Sequence, residues 1–299
     1  MSKQKRTLFR GTATALITPF TNGRIDFDAF GKLIERQLNA GIDALVVAGT
    51  TGESTALTDP EKMALLAFAA ERIGGRVPLI AGVGCADTAH SITMCHSACA
   101  AGADALLLVT PYYNRPPQAG LRAHFERIAD TSEQPIIIYS IPGRTGVTIR
   151  TETYEALADH PNIIAVKEAS HEMGDISDLI DRCSDRLDIY AGNDDLTVPV
   201  LSLGGMGVIS VLSNILPTAV RDVTRLWMEG KPRLSAAKST RLHPLSRALF
   251  SDTNPIPVKC ALSMMGLCQE EYRLPLVAPC DHVRQQLKLC LQELKLLEV

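Results

Sequence analysis

Ile163-Ile164-Ala165-Val166-Lys167 is a short aliphatic run that ends on a lysine. Runs of this kind recur along the chain at Ala13 to Ile17, Ala44 to Val47, Val77 to Ala81, Ala105 to Val109, Pro135 to Tyr139, Ile163 to Lys167, Asp188 to Ala191 and Gly207 to Val211. Amphipathic stretches with helical period lie between them, among them Asp26 to Ala40, Thr58 to Ile73, Thr88 to Ala101 and Gln118 to Thr131. Several open on Asp, Ser or Thr at a position suited to an N-cap. Strand-length apolar runs alternating with helices are the pattern of βα units around a parallel sheet. An open doubly wound sheet shares that alternation. Eight evenly spaced units with no early GxGxxG favour closure into a (β/α)8 TIM barrel. Gly82-Val83-Gly84 lacks the third glycine, and no GxxxxGK[ST] occurs.

After the eighth run the chain reads as helix, from Pro217 to Gly230, Lys231 to Phe250, Pro257 to Met265 and Asp281 to Leu297. This divides the chain into a barrel with a short N-terminal lead, 1–216, and a C-terminal helical extension, 217–299, packed on the barrel or on another subunit. No linker rich in Gly, Ser or charge separates the two.

Composition narrows the function. Of 299 residues 46% are hydrophobic and 21% charged, enough for a buried core and a soluble surface. The net charge of -3 provides no basic field for a polyanion, and the Lys3 to Arg6 stretch is short, so no nucleic-acid partner is expected. The eight cysteines form no CxxC pair and read as reduced thiols. Cys95, His96 and Cys99 have no second cluster at metal-site spacing, so no metal is expected. Pro19, Thr14 and Thr18 interrupt the one N-terminal apolar stretch; neither a signal peptide nor a membrane span is expected, and the location is read as cytoplasmic.

In a barrel of this kind the chemistry sits where strands end. The second run passes into Gly49-Thr50-Thr51-Gly52-Glu53-Ser54, the fourth into Pro111-Tyr112-Tyr113-Asn114, the fifth ends on Tyr139, the sixth on Lys167, and the seventh leads to Gly192-Asn193. A lysine whose stem runs along the core is desolvated in a way that disfavours the ammonium, and the free amine attacks ketones. A lysine snorkelling to the rim has the same sequence signature. Tyr139 on the adjacent strand can pass protons to and from carbinolamine and aldol oxygens, or it is a packed rim tyrosine. The Gly-Thr-Thr-Gly turn offers N–H groups and hydroxyls to a small carboxylate, or is a plain turn. Arg144, in Pro142-Gly143-Arg144-Thr145-Gly146, suits a second carboxylate through its planar fork, or is a solvated surface arginine.

Taken together, GTTGES (Gly49 to Ser54), TPYYNRP (Thr110 to Pro116), YSIPGRTG (Tyr139 to Gly146), VKEAS (Val166 to Ser170), AGND (Ala191 to Asp194), GVISV (Gly207 to Val211) and NPIPVK (Asn254 to Lys259) resemble the dihydrodipicolinate synthase and N-acetylneuraminate lyase superfamily of pyruvate-dependent class I aldolases. The resemblance spans nearly the whole chain. It implies that Lys167 forms a Schiff base with pyruvate, that Thr51 and the Ile209 backbone hold the pyruvate, and that Gly192 contributes nearby backbone. Tyr139 is then the proton donor and acceptor, in a relay with Thr50 and with Tyr113, which reaches into a neighbouring subunit. A homo-oligomer is implied, a dimer sharing Tyr113 and paired into a tetramer. Arg144 would bind the carboxylate of L-aspartate 4-semialdehyde, and the product would be 4-hydroxy-tetrahydrodipicolinate, on the diaminopimelate route to lysine. No cofactor is implied, since a protonated imine is itself the electron sink.

Two departures from the family pattern stand out. Ser140 occupies a position where Asn is more usual. At the positions where lysine-inhibited members bind lysine, Ser54, Thr55 and Tyr112 are retained, but Asp59, Lys62, Ala86 and His90 replace His, His, Asn and Glu. Weak or absent feedback by lysine is expected. The rival readings are a sister aldolase acting on N-acetylneuraminate or a 2-keto-3-deoxy sugar acid, against which Arg144 argues, and a catalytically silent barrel that binds an oxo acid as a regulator. A phosphosugar isomerase is disfavoured, because Gly204-Gly205-Met206-Gly207 precedes the last strand.

Overall fold

Each of the eight apolar runs forms a strand in the computed structural model, which describes residues 5–297 and so leaves Lys3 of the basic stretch outside it. The strands are β1 Gly11–Ala15, β2 Ala44–Val47, β3 Leu79–Gly82, β4 Ala105–Val109, β5 Ile136–Ser140, β6 Ile163–Glu168, β7 Asp188–Ala191 and β8 Gly207–Ser210. They pair in parallel and in order, and β8 returns to β1 with Gly11 opposite Gly207 and Thr14 opposite Ser210, closing the barrel. β1 starts two residues before the expected Ala13 because its polar residues are buried with partners. Thr12 Oγ1 meets Thr224 Oγ1 at 3.0 Å, and Thr14 Oγ1 donates to Gln37 Oε1 at 2.8 Å.

The outer ring is α1 Phe27–Asn39, α2 Asp59–Ile73, α3 Thr88–Ala100, α4 Gln118–Ala129, α5 Thr151–Ala158, α6 Met173–Cys183, α7 Thr197–Ser202 and α8 Pro217–Met228. Side-chain caps set several of the starts. Asp26 accepts from the N–H of Ala29, Thr58 forms a capping box with Glu61, and Asp87 accepts from the N–H of His90. A short antiparallel ribbon, Phe20–Thr21 with Arg24–Ile25, precedes α1.

α8 stands in the ring's eighth place. Its Arg221 donates to the carbonyl of Ala40, and its Thr224 meets Thr12 of β1. The helices beyond the ring are α9 Pro232–Leu249, α10 Ile256–Met264 and α11 Asp281–Glu293. Leu245, Val258, Leu262 and Leu287 from them join the same apolar cluster that fills the space between strands and ring helices. α8 thus packs on β1 and the end of α1, and the helices from Pro232 onward add to the same apolar core.

The barrel interior holds a second, smaller cluster with Phe9, Ala13, Ile80, Leu107, Ile137, Tyr139, Ala165, Tyr190 and Ile209. Phe9 stacks on Tyr190 at 4.3 Å and accepts the Tyr190 hydroxyl on its carbonyl at 2.6 Å, so the N-terminal lead stoppers the barrel floor. The opposite, C-terminal end is left for function.

One irregularity decides what faces that end. Ile136 pairs with Ile163, but Ile137 pairs with Ala165, so Ile164 is an extra residue in β6. Ile163 and Val166 pack outward with the ring helices, while Ile164 and Ala165 both face inward. Without this bulge, strict alternation from Ile163 would turn residue 167 outward. With it, Lys167 points into the barrel beside Tyr139, and Glu168 points out to accept the Tyr154 hydroxyl of α5 at 2.9 Å.

Candidate active site

Lys167 is 4% exposed, and its Nζ lies 4.2 Å from the ring centroid of Tyr139, its partner in the β5–β6 register. The ammonium form can rest against the ring face. Among the described residues the lysines in ion pairs are Lys5, Lys62, Lys231, Lys238 and Lys259, so Lys167 is buried without a carboxylate partner. The charge on Lys167 acts on Asp194. Burial raises the pKa of Asp194, while bonds from Ser210 Oγ and the N–H groups of Leu212 and Val211, together with the charge on Lys167, oppose the shift. Those bonds fix the end of β8 just beyond Ile209.

The Gly-Thr-Thr-Gly segment is a single tight turn, Thr50–Gly52, closed by the Gly52 N–H to the Gly49 carbonyl at 3.0 Å. Thr18 Oγ1 donates to the Gly52 carbonyl at 2.7 Å, and Glu53 leaves the turn with a left-handed φ of 54°. Thr51 is buried and its Oγ1 accepts from Asn254 Nδ2 at 3.0 Å. Glu53 is buried too, with Lys259 Nζ at 2.6 Å and the Arg273 N–H at 3.2 Å. The turn is thereby held from behind by the C-terminal extension.

Arg144 lies on the single helical turn Pro142–Thr145 after β5, and its Nη2 donates to the Asn254 carbonyl at 2.8 Å. Thr50, Tyr139 and Arg144 line one cavity of about 300 Å³ that extends outward to Ser54, Thr55, Lys62 and Tyr112. Lys167, Thr51 and Ile209 are not among its lining residues, and neither is Gly192. Its N–H donates to the Glu168 carbonyl at 2.6 Å, and a Cβ there would lie 2.6 Å from that of Ala169, so only glycine lets β7 pass so close to the lysine strand.

Other expected site residues stand apart. Tyr113 is 91% exposed with a left-handed φ of 72°, so a single chain does not bring it to Tyr139 and Thr50. Of the remaining effector positions Ala86 is exposed, while Asp59 takes Lys62 Nζ at 3.5 Å and His90 Nε2 at 3.4 Å, a local cluster on α2 and α3. Asn254, Lys259, Glu53 and Asp194 fall inside the motifs quoted above, yet their types alone give no role.

The Dihydrodipicolinate synthetase family model matches residues 8–294. A 4-hydroxy-tetrahydrodipicolinate synthase of Geobacter sulfurreducens is 44% identical over 292 residues, 97% of this chain and 100% of that one. A dihydrodipicolinate synthase structure from Thermotoga maritima superposes with a TM-score of 0.96 at 38% identity, covering 97% of this chain and 100% of that one. The enzyme from Acinetobacter baumannii complexed with pyruvate superposes with a TM-score of 0.95 at 35% identity, covering 97% and 100%. This chain belongs to the dihydrodipicolinate synthetase family and is a class I aldolase of the 4-hydroxy-tetrahydrodipicolinate synthase type.

Proposed function

We propose that Lys167 is the Schiff-base lysine through which the enzyme condenses pyruvate with L-aspartate 4-semialdehyde. The observation that carries this reading is an amine buried at a strand end, unpaired with any carboxylate and lying over the ring of Tyr139. The pyruvate complex of the Acinetobacter baumannii relative supports the choice of oxo acid.

The amine adds to the keto carbon of pyruvate, and water leaves to give a protonated imine. The imine withdraws electrons from the methyl carbon, which loses a proton to become an enamine. That carbon attacks the aldehyde carbon of the second substrate. Attack of the second substrate's amino group on the imine carbon then closes the ring and frees Lys167. Tyr139 carries protons to and from the carbinolamine and aldol oxygens, in a relay with Thr50 and with Tyr113 from a neighbouring subunit. Thr51, with the Ile209 and Gly192 backbone, cradles the pyruvate, and Arg144 takes the carboxylate of the semialdehyde through its fork. The exposure of Tyr113 on the isolated chain fits a residue donated to a second copy in a dimer, two of which form a tetramer. None of the described helices is long and apolar enough to cross a membrane, and we place the reaction in the cytoplasm.

Incubation with pyruvate and borohydride should fix one reduced adduct, located on Lys167 by peptide mass spectrometry and lost in Lys167→Ala. An adduct on another lysine, or none on folded wild-type protein, overturns the assignment.

A further inference from the structure

Among the polar contacts that join the C-terminal extension to the turn presenting Thr51, two stand out. One is the buried Lys259–Glu53 pair at 2.6 Å, which fixes where the turn sits. The other is Asn254, 7% exposed, whose Nδ2 donates to Thr51 Oγ1 at 3.0 Å while its backbone carbonyl accepts Arg144 Nη2 at 2.8 Å. One residue of the extension therefore touches both side chains assigned above to substrate carboxylates.

The direction of the first bond matters more than its strength. A hydroxyl is one donor and two acceptors. If Thr51 Oγ1 accepts from an amide N–H, its own proton is left for a substrate carboxylate. If the contact ran the other way, Thr51 would spend that proton on Asn254 and offer a carboxylate only lone pairs. The second bond ties one end of the Arg144 fork to the protein and leaves its other N–H groups for a ligand.

We propose that Asn254 is a positioning residue that makes Thr51 a hydrogen-bond donor to the pyruvate carboxylate through its side chain, and aims Arg144 through its backbone carbonyl. The inference rests on the reading of Thr51 and Arg144 as carboxylate ligands. It divides Asn254 into a side chain that serves one substrate and a carbonyl that serves the other, so side-chain substitutions act on pyruvate alone.

Steady-state kinetics of the full-length enzyme test this. Asn254→Asp is nearly isosteric and keeps the carbonyl, but an ionised carboxylate only accepts, and takes the Thr51 proton. It should raise the KM for pyruvate about tenfold or more, the loss of one hydrogen bond to a charged group. The KM for the semialdehyde should stay within about twofold of wild type. The pyruvate defect should shrink as pH falls and the introduced carboxyl regains a proton it can donate, a dependence that mere loosening of the loop does not produce. On a Thr51→Ala background the same substitution should add no further rise. Asn254→Ala, if it folds, should give a smaller rise, since the hydroxyl is then free to rotate.

A folded Asn254→Asp enzyme with wild-type pyruvate KM, beside a Thr51→Ala enzyme whose KM is raised, overturns the positioning role alone. A pyruvate KM that does not move in Thr51→Ala overturns the carboxylate cradle and the inference with it.

Discussion

The barrel mouth and the C-terminal extension each bury a lysine, and the two are handled in opposite ways. Lys259, on α10, is fully buried, bonded to Glu53 at 2.6 Å and flanked by Phe20 and Tyr272, whose ring centroids lie 4.1 and 5.5 Å from its Nζ. Lys167, on β6, is almost as deeply buried but has a ring face and no carboxylate. Burial lowers the pKa of Lys259, and the charge of Glu53 works against that shift. Lys259 is thus committed to a buried ion pair, whereas no carboxylate engages the Lys167 amine, which is left open to a substrate. Burial alone therefore does not separate a reactive lysine from an inert one. The partner does.

Methionine exchange at each site should break the comparison if it is wrong. Lys167→Met is expected to lower kcat/KM by about 10⁴-fold or more, as removal of a covalent nucleophile does. Its Tm should equal or exceed that of wild type, because a buried amine with no carboxylate partner is replaced by an apolar chain of similar length. A large fall in Tm with residual activity would show that Lys167 holds the fold and does no chemistry.

Lys259→Met should do the reverse. Stripping the cation from a buried pair leaves Glu53 uncompensated, at a cost of about 3–5 kcal/mol in denaturant unfolding. Adding Glu53→Gln should recover a good part of that loss, because the stranded charge is gone. In the fraction that remains folded, pyruvate and borohydride should still label Lys167. If Lys259→Met abolishes labelling in folded protein, the extension contributes to the chemistry and not merely to the seat of the turn.

The same contrast explains what the sequence discloses. The eight strands and the ring were legible because period and caps are local properties: Asp26, Thr58 and Asp87 each cap a helix three residues on. Lys167, Tyr139, Thr50, Thr51 and Arg144 were legible as polar residues where apolar runs stop. The bulge at Ile164 was not. Ile163 to Val166 is apolar throughout, so no alternation exists from which to read a face, and only pairing with β5 fixes it. Asn254 and Lys259 were illegible for another reason, since their partners lie 203 and 206 residues away along the chain. Helix-period reading placed α10 correctly and missed that its start reaches the site. The place of α8 beside β1 is likewise set by contacts distant in sequence, to Thr12 and Ala40.

A third lysine sharpens the comparison at the smallest scale. Lys62, at the outer end of the cavity, has a side chain 15% exposed and a loose contact of 3.5 Å to Asp59. Its charge thus faces a space where a free lysine would have to bring two amino groups. Ala86 offers no side-chain acceptor, and His90 already turns to Asp59 at 3.4 Å. A cationic effector would meet like charge with few acceptors to offset it. L-lysine is therefore expected to leave the steady-state rate nearly unchanged through the sub-millimolar range, and half-inhibition within that range would refute the reading. Lys62→Ala combined with His90→Glu removes one positive charge and supplies a carboxylate, and should bring measurable inhibition at lower lysine concentration. If that pair of changes has no effect, the charge on Lys62 is not what keeps lysine out, and the outer cavity excludes it by shape.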